Sequence, residues 1–146
     1  MLCILKKNTK LCTVVNSRQQ NENTVKDVTP LPDREIICED VAWAKIRSKI
    51  DLSNAYKQVY IQLEDIDKMA FTSILGTYVS MVMQPGDCNT PATFQCLMTA
   101  IFQDVIGKFM HVYLVDIFVY SNSVEDHEQH LKVILNRLRD NSLYLK

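Results

Sequence analysis

Apolar residues recur at helical spacing in three parts of this 146-residue chain. The first predicted helix is capped by Asp33 and extends to about Ala44. The second begins at Thr90, because a proline follows it at the first helical position, and Gly107 is expected to end it. The third begins at Ser123, which has an acidic residue three positions later, as in a capping box.

Strands are predicted where apolar residues alternate with polar ones or run together between turn signals. They cover residues 46–52, the alternating positions Val59, Ile61 and Leu63, a hairpin of residues 69–74 and 78–83, a hairpin of residues 109–115 and 117–120, and a last strand at 143–145. Strands and helices do not alternate strictly along the chain. The order therefore predicts an α+β fold with a mostly antiparallel sheet packed on helices.

The composition is that of a globular domain, with 47% hydrophobic and 23% charged residues. A net charge of −1 does not by itself indicate a nucleic-acid-binding protein. The first 20 residues are different, because they contain four basic residues and no acidic one: Lys6, Lys7, Lys10 and Arg18. A basic segment of this kind can steer an anionic partner, although Lys6 and Lys7 can equally form a solvated charge pair at a frayed end.

No segment has the roughly 18 apolar residues that a membrane-spanning helix needs, so no membrane partner is expected. The five cysteines form no Cys-x-x-Cys pair, which argues against a disulfide framework or a structural zinc site. A reducing, intracellular location in the cytoplasm or nucleus is the simpler interpretation.

The candidate chemistry lies on two acidic residues. Asp116 stands alone inside the apolar run of residues 110–120, where burial without a partner would cost several kcal/mol. It either lies exposed at the tip of a hairpin or is held there by a cation. Asp51 ends another apolar strand, and it either caps the following turn or joins Asp116 in a magnesium site.

Two histidines are a weaker candidate. His127 and His130 lie three positions apart on the last predicted helix, but no third metal ligand is visible. A solvated helix face is therefore favoured over a zinc site.

The motifs around these acids resemble reverse transcriptases of Ty3/gypsy-type LTR retrotransposons, in a fungal-like variant. The run from Tyr113 to Ser121 is similar to the Tyr-x-Asp-Asp box of that family. Residues 48–56 resemble its first carboxylate motif, residues 68–72 its fingers hairpin, and residues 89–95 its template-side helix. The resemblance extends over almost the whole chain, with the motifs in the order of the family.

This resemblance implies a right-hand polymerase, of which residues 1–146 form a single partial reverse transcriptase domain. Fingers are expected at approximately 1–26 and 59–89, and palm at approximately 27–58 and 90–146. The thumb and ribonuclease H regions of a parent polyprotein would lie beyond Lys146. The implied partners are an RNA or DNA template–primer and dNTPs.

The resemblance also implies roles for individual residues. Asp51 and Asp116 match aspartates that bind two Mg²⁺ (or Mn²⁺) ions in the family, where the ions assist attack by the primer 3′-hydroxyl. Tyr56 matches an aromatic residue that stacks under the incoming sugar. The remaining positions that match contacts to triphosphate or template are Asn54, Ala55, Lys6, Lys7 and Arg18.

Four positions depart from the family pattern. Val115 replaces the first aspartate of the box, and valine has no oxygen to donate to a metal. Cys12 replaces an arginine on the triphosphate, Pro85 a residue beside the nucleotide pocket, and Asn16 an aspartate of the fingers. We therefore expect a chain that keeps the fold and has lost most polymerase activity. The alternative is a non-catalytic, nucleic-acid-binding remnant of a decayed retroelement.

Overall fold

A computed structural model describes the backbone of Leu2–Leu5 and Leu11–Leu145, and the side chains from Val15 onward. The chain divides into two compact units, each built from two segments. The first unit is Met1–Asp27 with Tyr56–Thr90, and the second is Val28–Ala55 with Pro91–Lys146.

The described residues form strands and helices in an α+β order. In chain order they are β1 (Leu2–Leu5), β2 (Leu11–Val14), α1 (Arg18–Glu22), α2 (Arg34–Trp43), β3 (Ile46–Asp51), β4 (Ala70–Ser73), β5 (Gly76–Val79), α3 (Thr90–Phe102), β6 (Met110–Tyr113), β7 (Asp116–Ser121) and α4 (Val124–Asp140). Short 3-10 helices cover Ala55–Gln58 and Leu63–Met69. Every pairing between these strands is antiparallel, which confirms the predicted fold class.

The predicted strand over Val59, Ile61 and Leu63 is wrong. Only one isolated bridge forms there, between Tyr60 and Val82, and a 3-10 helix begins at Leu63. Leu63 is 87% exposed, so the apolar alternation does not line a buried face. A strand needs neighbouring residues to pack against along its whole length, and this segment has such neighbours only near Tyr60.

In the first unit, α1 holds the loop that contains Pro85 and Gly86. Ser17 donates a hydrogen bond to the Asp87 carboxylate at 3.0 Å. Asn21 donates to the Gly86 carbonyl at 2.9 Å and accepts from the backbone N–H of Cys88 at 2.9 Å. The two Asn21 bonds satisfy polar backbone groups of this loop, which lies outside the strands and helices.

A three-stranded sheet in the order β3-β7-β6 organises the second unit. Successive side chains of a strand point to opposite faces, so the register decides which residues share a face. Ile117 and Val119 of β7 are fully buried on one face. Asp116, Phe118 and Tyr120 lie on the other face and are half-buried.

The core of the second unit is the apolar side of this sheet together with α3 and α4. Its largest fully buried side chains are Phe94, Met98, Phe102, Met110, Ile117, Val119, Ile134 and Leu138. Phe94, Met98 and Phe102 follow one another at intervals of four residues on α3, so the predicted helical stripe is confirmed as core.

Two of the predicted N-caps are confirmed, at Asp33 and at Ser123. The Asp33 carboxylate accepts from the N–H of Glu35 at 2.8 Å, and the Ser123 hydroxyl accepts from the N–H of Asp126 at 3.1 Å. α3 begins at Thr90 as predicted but ends at Phe102, so Gly107 is not its terminator. Gly107 instead takes a positive φ of 78° in the turn before β6, a conformation that glycine adopts without steric cost.

The predicted last strand is reduced to a single bridge. Leu145 bridges Leu52, just after β3, and the N–H of Ser53 donates to the Tyr144 carbonyl at 3.1 Å. None of the helices in the described part of the chain combines the length and apolar character needed to cross a bilayer.

The interpretation of His127 as part of a solvated helix face is wrong. His127 is buried, and its two ring nitrogens bond the hydroxyls of Ser48 and Ser121 at 2.8 and 2.9 Å. Ser121 also bonds His130 at 2.8 Å, and the His130 ring stacks on Phe109 at 3.9 Å. The pair therefore ties α4 to the sheet through hydrogen bonds.

An exposed ion pair between Asp104, just after α3, and Arg137 of α4 predicts how the stability of the fold changes in acid. Arg137 binds the Asp104 carboxylate with both terminal nitrogens and lowers its pKa to about 2. A depressed folded pKa means that this contribution is complete above the ordinary value of 3.8 and is lost as pH falls towards about 2. We expect the melting temperature, measured by circular dichroism, to fall less in Asp104→Asn than in the original chain between about pH 4 and 2. An Asp140→Asn variant is the control, and an unchanged acid profile in Asp104→Asn would contradict the assignment.

Candidate active site

The pairing of β3 with β7 brings the two predicted metal ligands together. Asp51 is the direct cross-strand partner of Asp116, at the ends of the two strands. Directly opposed residues lie on the same face of a sheet, with Cβ atoms roughly 4.5–5.5 Å apart. Asp51 is exposed and Asp116 half-buried, so both carboxylates are open to a ligand from solvent.

A lysine joins this pair of acids. Lys49 lies two residues before Asp51 and therefore on the same face of β3. Its ammonium forms an ion pair with Asp116 Oδ2 at 2.8 Å and stands 5.7 Å from the ring centroid of Phe118, its cross-strand partner. Two like charges directly opposed on a sheet are destabilising, so the ammonium offsets a repulsion that the register creates.

Val115 occupies the tip of the hairpin between β6 and β7. Tyr113 pairs with Asp116, which leaves Leu114 and Val115 as a two-residue loop. Asp116 is therefore the first residue of a strand and not the hairpin tip. Leu114 has a φ of +55°, and positive φ at the first loop residue alone is the pattern of a type II′ turn. For leucine a positive φ is a strained conformation, which costs of order 1–3 kcal/mol.

Gln95 of α3 holds this strained loop in place. The backbone N–H of Leu114 donates to Gln95 Oε1 at 2.8 Å, and Gln95 Nε2 donates to the Val112 carbonyl at 3.3 Å. Gln95 is only 3% exposed, so these bonds are protected from water. The sequence pattern did not indicate this role of Gln95, although a glutamine directly after the buried Phe94 was the available signal.

α2 covers another part of the same sheet face. The Arg34 guanidinium lies 5.6 Å from the ring centroid of Tyr113. Further along, Asp40 accepts a hydrogen bond of 2.7 Å from His111 Nε2, and the His111 ring stacks on Tyr120. Burial and the nearby Asp40 carboxylate raise the pKa of the Tyr120 hydroxyl. These contacts hold α2 against β6 and β7, and β7 is the strand that begins with Asp116.

Two of the predicted nucleotide-binding residues follow Asp51 closely in the same unit. Asn54 has a φ of +48°, a conformation that asparagine tolerates better than most residues. Ala55 is buried and begins a 3-10 helix.

The other predicted nucleotide-binding residues belong to the first unit or lie outside the described residues. Tyr56 begins the second segment of the first unit, and burial raises the pKa of its hydroxyl. Arg18 is the first residue of α1 and is exposed. Lys6 and Lys7 fall outside the residues that the structure describes.

The donor set fits a divalent cation. The described residues contain no group of three or more His, Cys, Asp or Glu side chains that could enclose a metal. Two carboxylates that solvent can reach are nevertheless the ligands that Mg²⁺ prefers when waters and substrate phosphates complete its shell. The Lys49 ammonium on Asp116 shows that the site already attracts a positive charge.

The family profile described as "Reverse transcriptase (RNA-dependent DNA polymerase)" matches residues 4–146. The chain belongs to this family. It is 32% identical over 137 residues to the retrovirus-related Pol polyprotein from transposon 297 of Drosophila melanogaster, covering 94% of this chain and 13% of that polyprotein. It is 38% identical over 132 residues to polyprotein P3 of Commelina yellow mottle virus, covering 90% of this chain and 7% of that protein.

Relatives from Ty3/gypsy-type retrotransposons confirm the predicted subgroup. The gypsy polyprotein of Drosophila melanogaster is 30% identical over 87% of this chain, which spans 12% of that relative. The Tf2-3 polyprotein of Schizosaccharomyces pombe is 28% identical over 99% of this chain, which spans 11% of it.

Solved structures share the fold of the chain. The foamy viral protease-reverse transcriptase in complex with double-stranded DNA superposes with a TM-score of 0.89 at 22% identity. The match covers 99% of this chain and 25% of the viral one. The chain therefore has the fold of a reverse transcriptase segment and spans a small part of the length of its relatives.

Proposed function

We propose that this chain is the fingers and palm part of a retrotransposon reverse transcriptase, built for template-directed DNA synthesis from dNTPs. The observation that supports this most directly is the register that opposes Asp51 and Asp116 on one open face of the sheet. The first unit would be the fingers and the second the palm. This division is proposed from the resemblance together with the bounds of the two units.

In the proposed reaction Asp51 and Asp116 would hold divalent cations through their carboxylates. A bound Mg²⁺ or Mn²⁺ pair would lower the barrier to attack by the primer 3′-hydroxyl and stabilise charge on the transferred phosphoryl group. Gln95 supports the hairpin that leads into Asp116, because its bonds restrain Val112 in β6 and Leu114 in the loop.

Further residues are proposed to bind the nucleotide, as the family resemblance implies. Backbone groups at Asn54 and Ala55 are proposed to contact the triphosphate, and Tyr56 to stack on the sugar. Lys6, Lys7 and Arg18 are proposed to bind phosphates of the nucleotide or template, where their charge is favourable.

Val115 makes this copy catalytically weak. The family resemblance assigns that position to a metal-binding aspartate, and valine contributes neither charge nor oxygen. One observation favours the alternative of a non-catalytic, nucleic-acid-binding remnant: the ammonium of Lys49 already neutralises Asp116, which is one of the two remaining ligands.

The proposed partners follow from the reaction. They are a template–primer of RNA or DNA, dNTPs, and the thumb and ribonuclease H regions of a parent polyprotein. Because templates and dNTPs are intracellular, we propose that the protein works in the cytoplasm or nucleus.

Template–primer binding and incorporation test this proposal together. We expect the 146-residue chain to bind a fluorescent RNA–DNA template–primer with an affinity that falls as salt rises, because phosphate contacts release counterions. Binding is measured by anisotropy between about 50 and 200 mM salt. Salt-independent binding, or none, would contradict both candidate functions.

Nucleotide incorporation distinguishes a weak polymerase from a non-catalytic, nucleic-acid-binding remnant. The assay uses a chimera in which this chain replaces the matching segment of the transposon 297 polyprotein, which supplies the regions that this chain does not include. Weak incorporation of dTMP on poly(rA) that disappears in Asp116→Asn supports a polymerase. Template–primer binding without any incorporation, even at high Mn²⁺, supports the remnant.

A further inference from the structure

We propose that Lys49 is a built-in counter-ion of the candidate metal site, which occupies Asp116 in the metal-free protein and must be displaced when a divalent cation binds. The inference rests on the proposed function, because it concerns the same two carboxylates. It adds a residue that sets how tightly the site holds a metal.

The sheet register gives Lys49 this position. Side chains two residues apart on a strand point to the same face, so Lys49 and Asp51 share the face on which Asp116 lies. The ammonium reaches diagonally across the strands to Asp116 Oδ2 at 2.8 Å. It therefore stands where the opposed carboxylates would attract a metal ion.

Charge balance explains why the ammonium is held there. Asp51 and Asp116 are direct cross-strand partners, and two negative charges in that arrangement repel each other. Lys49 neutralises one of them. Because Val115 supplies no further carboxylate at the hairpin tip, a single ammonium offsets a large part of the negative charge of this pair.

The contact is also of a kind that can be exchanged. The Lys49 side chain is 55% exposed and that of Asp116 is 30% exposed, and exposed ion pairs are weak. The ring of Phe118, 5.7 Å from the ammonium, offers Lys49 a second favourable contact after displacement. A divalent cation with twice the charge can therefore compete for the same oxygen.

Manganese titration of the 146-residue chain, followed by electron paramagnetic resonance, tests this proposal. Removing a unit positive charge about 5 Å from a divalent ion should tighten binding about tenfold in Lys49→Gln. Lys49→Arg keeps the charge and should bind Mn²⁺ like the original chain. Arg47→Gln is the matched control, because Arg47 lies on the same face of β3 but opposite Tyr120, and we expect its effect to be less than about threefold.

A second measurement reports the metal-free state. In EDTA, Lys49→Gln should melt below the original chain, since the carboxylates lose their counter-ion. In saturating Mn²⁺ this difference in melting temperature should narrow or change sign, because the ligand stabilises the variant that binds it more tightly. Arg47→Gln should show neither change.

Several results would overturn the proposal. One is an equal affinity for Mn²⁺ in Lys49→Gln and the original chain, and another is an equal gain in affinity in Lys49→Gln and Arg47→Gln. A gain in affinity that persists when Asp116→Asn is added, or no Mn²⁺ binding by any variant, would overturn it too. Template, primer and dNTPs are absent from the titration. Failure of primer extension alone therefore refutes polymerase activity and leaves the role of Lys49 standing.

Discussion

Val115→Asp should raise nucleotide incorporation by about 10²–10³-fold. That is the usual size of the effect when one electrostatic stabiliser of a transition state is added or removed. Val115 lies directly before Asp116 in the two-residue loop, so an aspartate there adds a third carboxylate beside the opposed pair. The measurement is the initial rate of dTMP incorporation on a poly(rA) template by the chimera with the transposon 297 polyprotein.

Two controls separate charge from shape in this experiment. Val115→Asn places a side chain of the same size at the tip without a negative charge, and we expect it to recover little of the rate. Adding Asp116→Asn to Val115→Asp should return incorporation to background, since one original ligand is lost. Equal rates in the original chain and in Val115→Asp would show that Val115 does not limit the reaction.

Gln95→Leu should lower the free energy of unfolding by about 1–3 kcal/mol, the cost of leaving buried polar groups without partners. Leucine has a similar size, but it cannot accept from the N–H of Leu114 or donate to the Val112 carbonyl. Both groups belong to a hairpin that already contains a leucine with positive φ. Urea unfolding followed by circular dichroism measures the change.

The matched control is Gln103→Leu, the same substitution at an exposed position just after α3. We expect a change within about 0.5 kcal/mol there. Gln95→Glu should destabilise the chain at least as much as Gln95→Leu, because a carboxylate can still accept from Leu114 but buries its charge beside the Val112 carbonyl. If Gln95→Leu is as stable as Gln103→Leu, the bonds of Gln95 do not support the hairpin.

Local signals predicted the elements whose ends are set by local chemistry. The hairpin of β6 and β7 forms as predicted, but its loop is Leu114 and Val115 and not Asp116. α2 begins after its Asp33 cap, and α4 begins after Ser123. These features depend on side-chain-to-backbone bonds within a few residues. The strand prediction for residues 59–63 was wrong because a strand there requires a distant partner surface, and the structure provides only one bridge.

The burial of polar residues also could not be predicted from local sequence patterns. A polar side chain such as His127 reads as solvated when only its own helix is considered. Its two partners, Ser48 and Ser121, come from β3 and β7, far along the chain. Only their convergence makes burial of the ring favourable, since both nitrogens are then hydrogen-bonded.

The sequence by itself determined the family of this protein, and it predicted two acidic metal ligands and a valine in place of a third. Those conclusions depend on residue identity and order. Only the tertiary structure decided that Asp51 faces Asp116, that Lys49 bridges to one of them and that Gln95 supports the tip. The reason is that strand register is a pairing between distant segments, and a shift of one residue would turn every side chain to the opposite face.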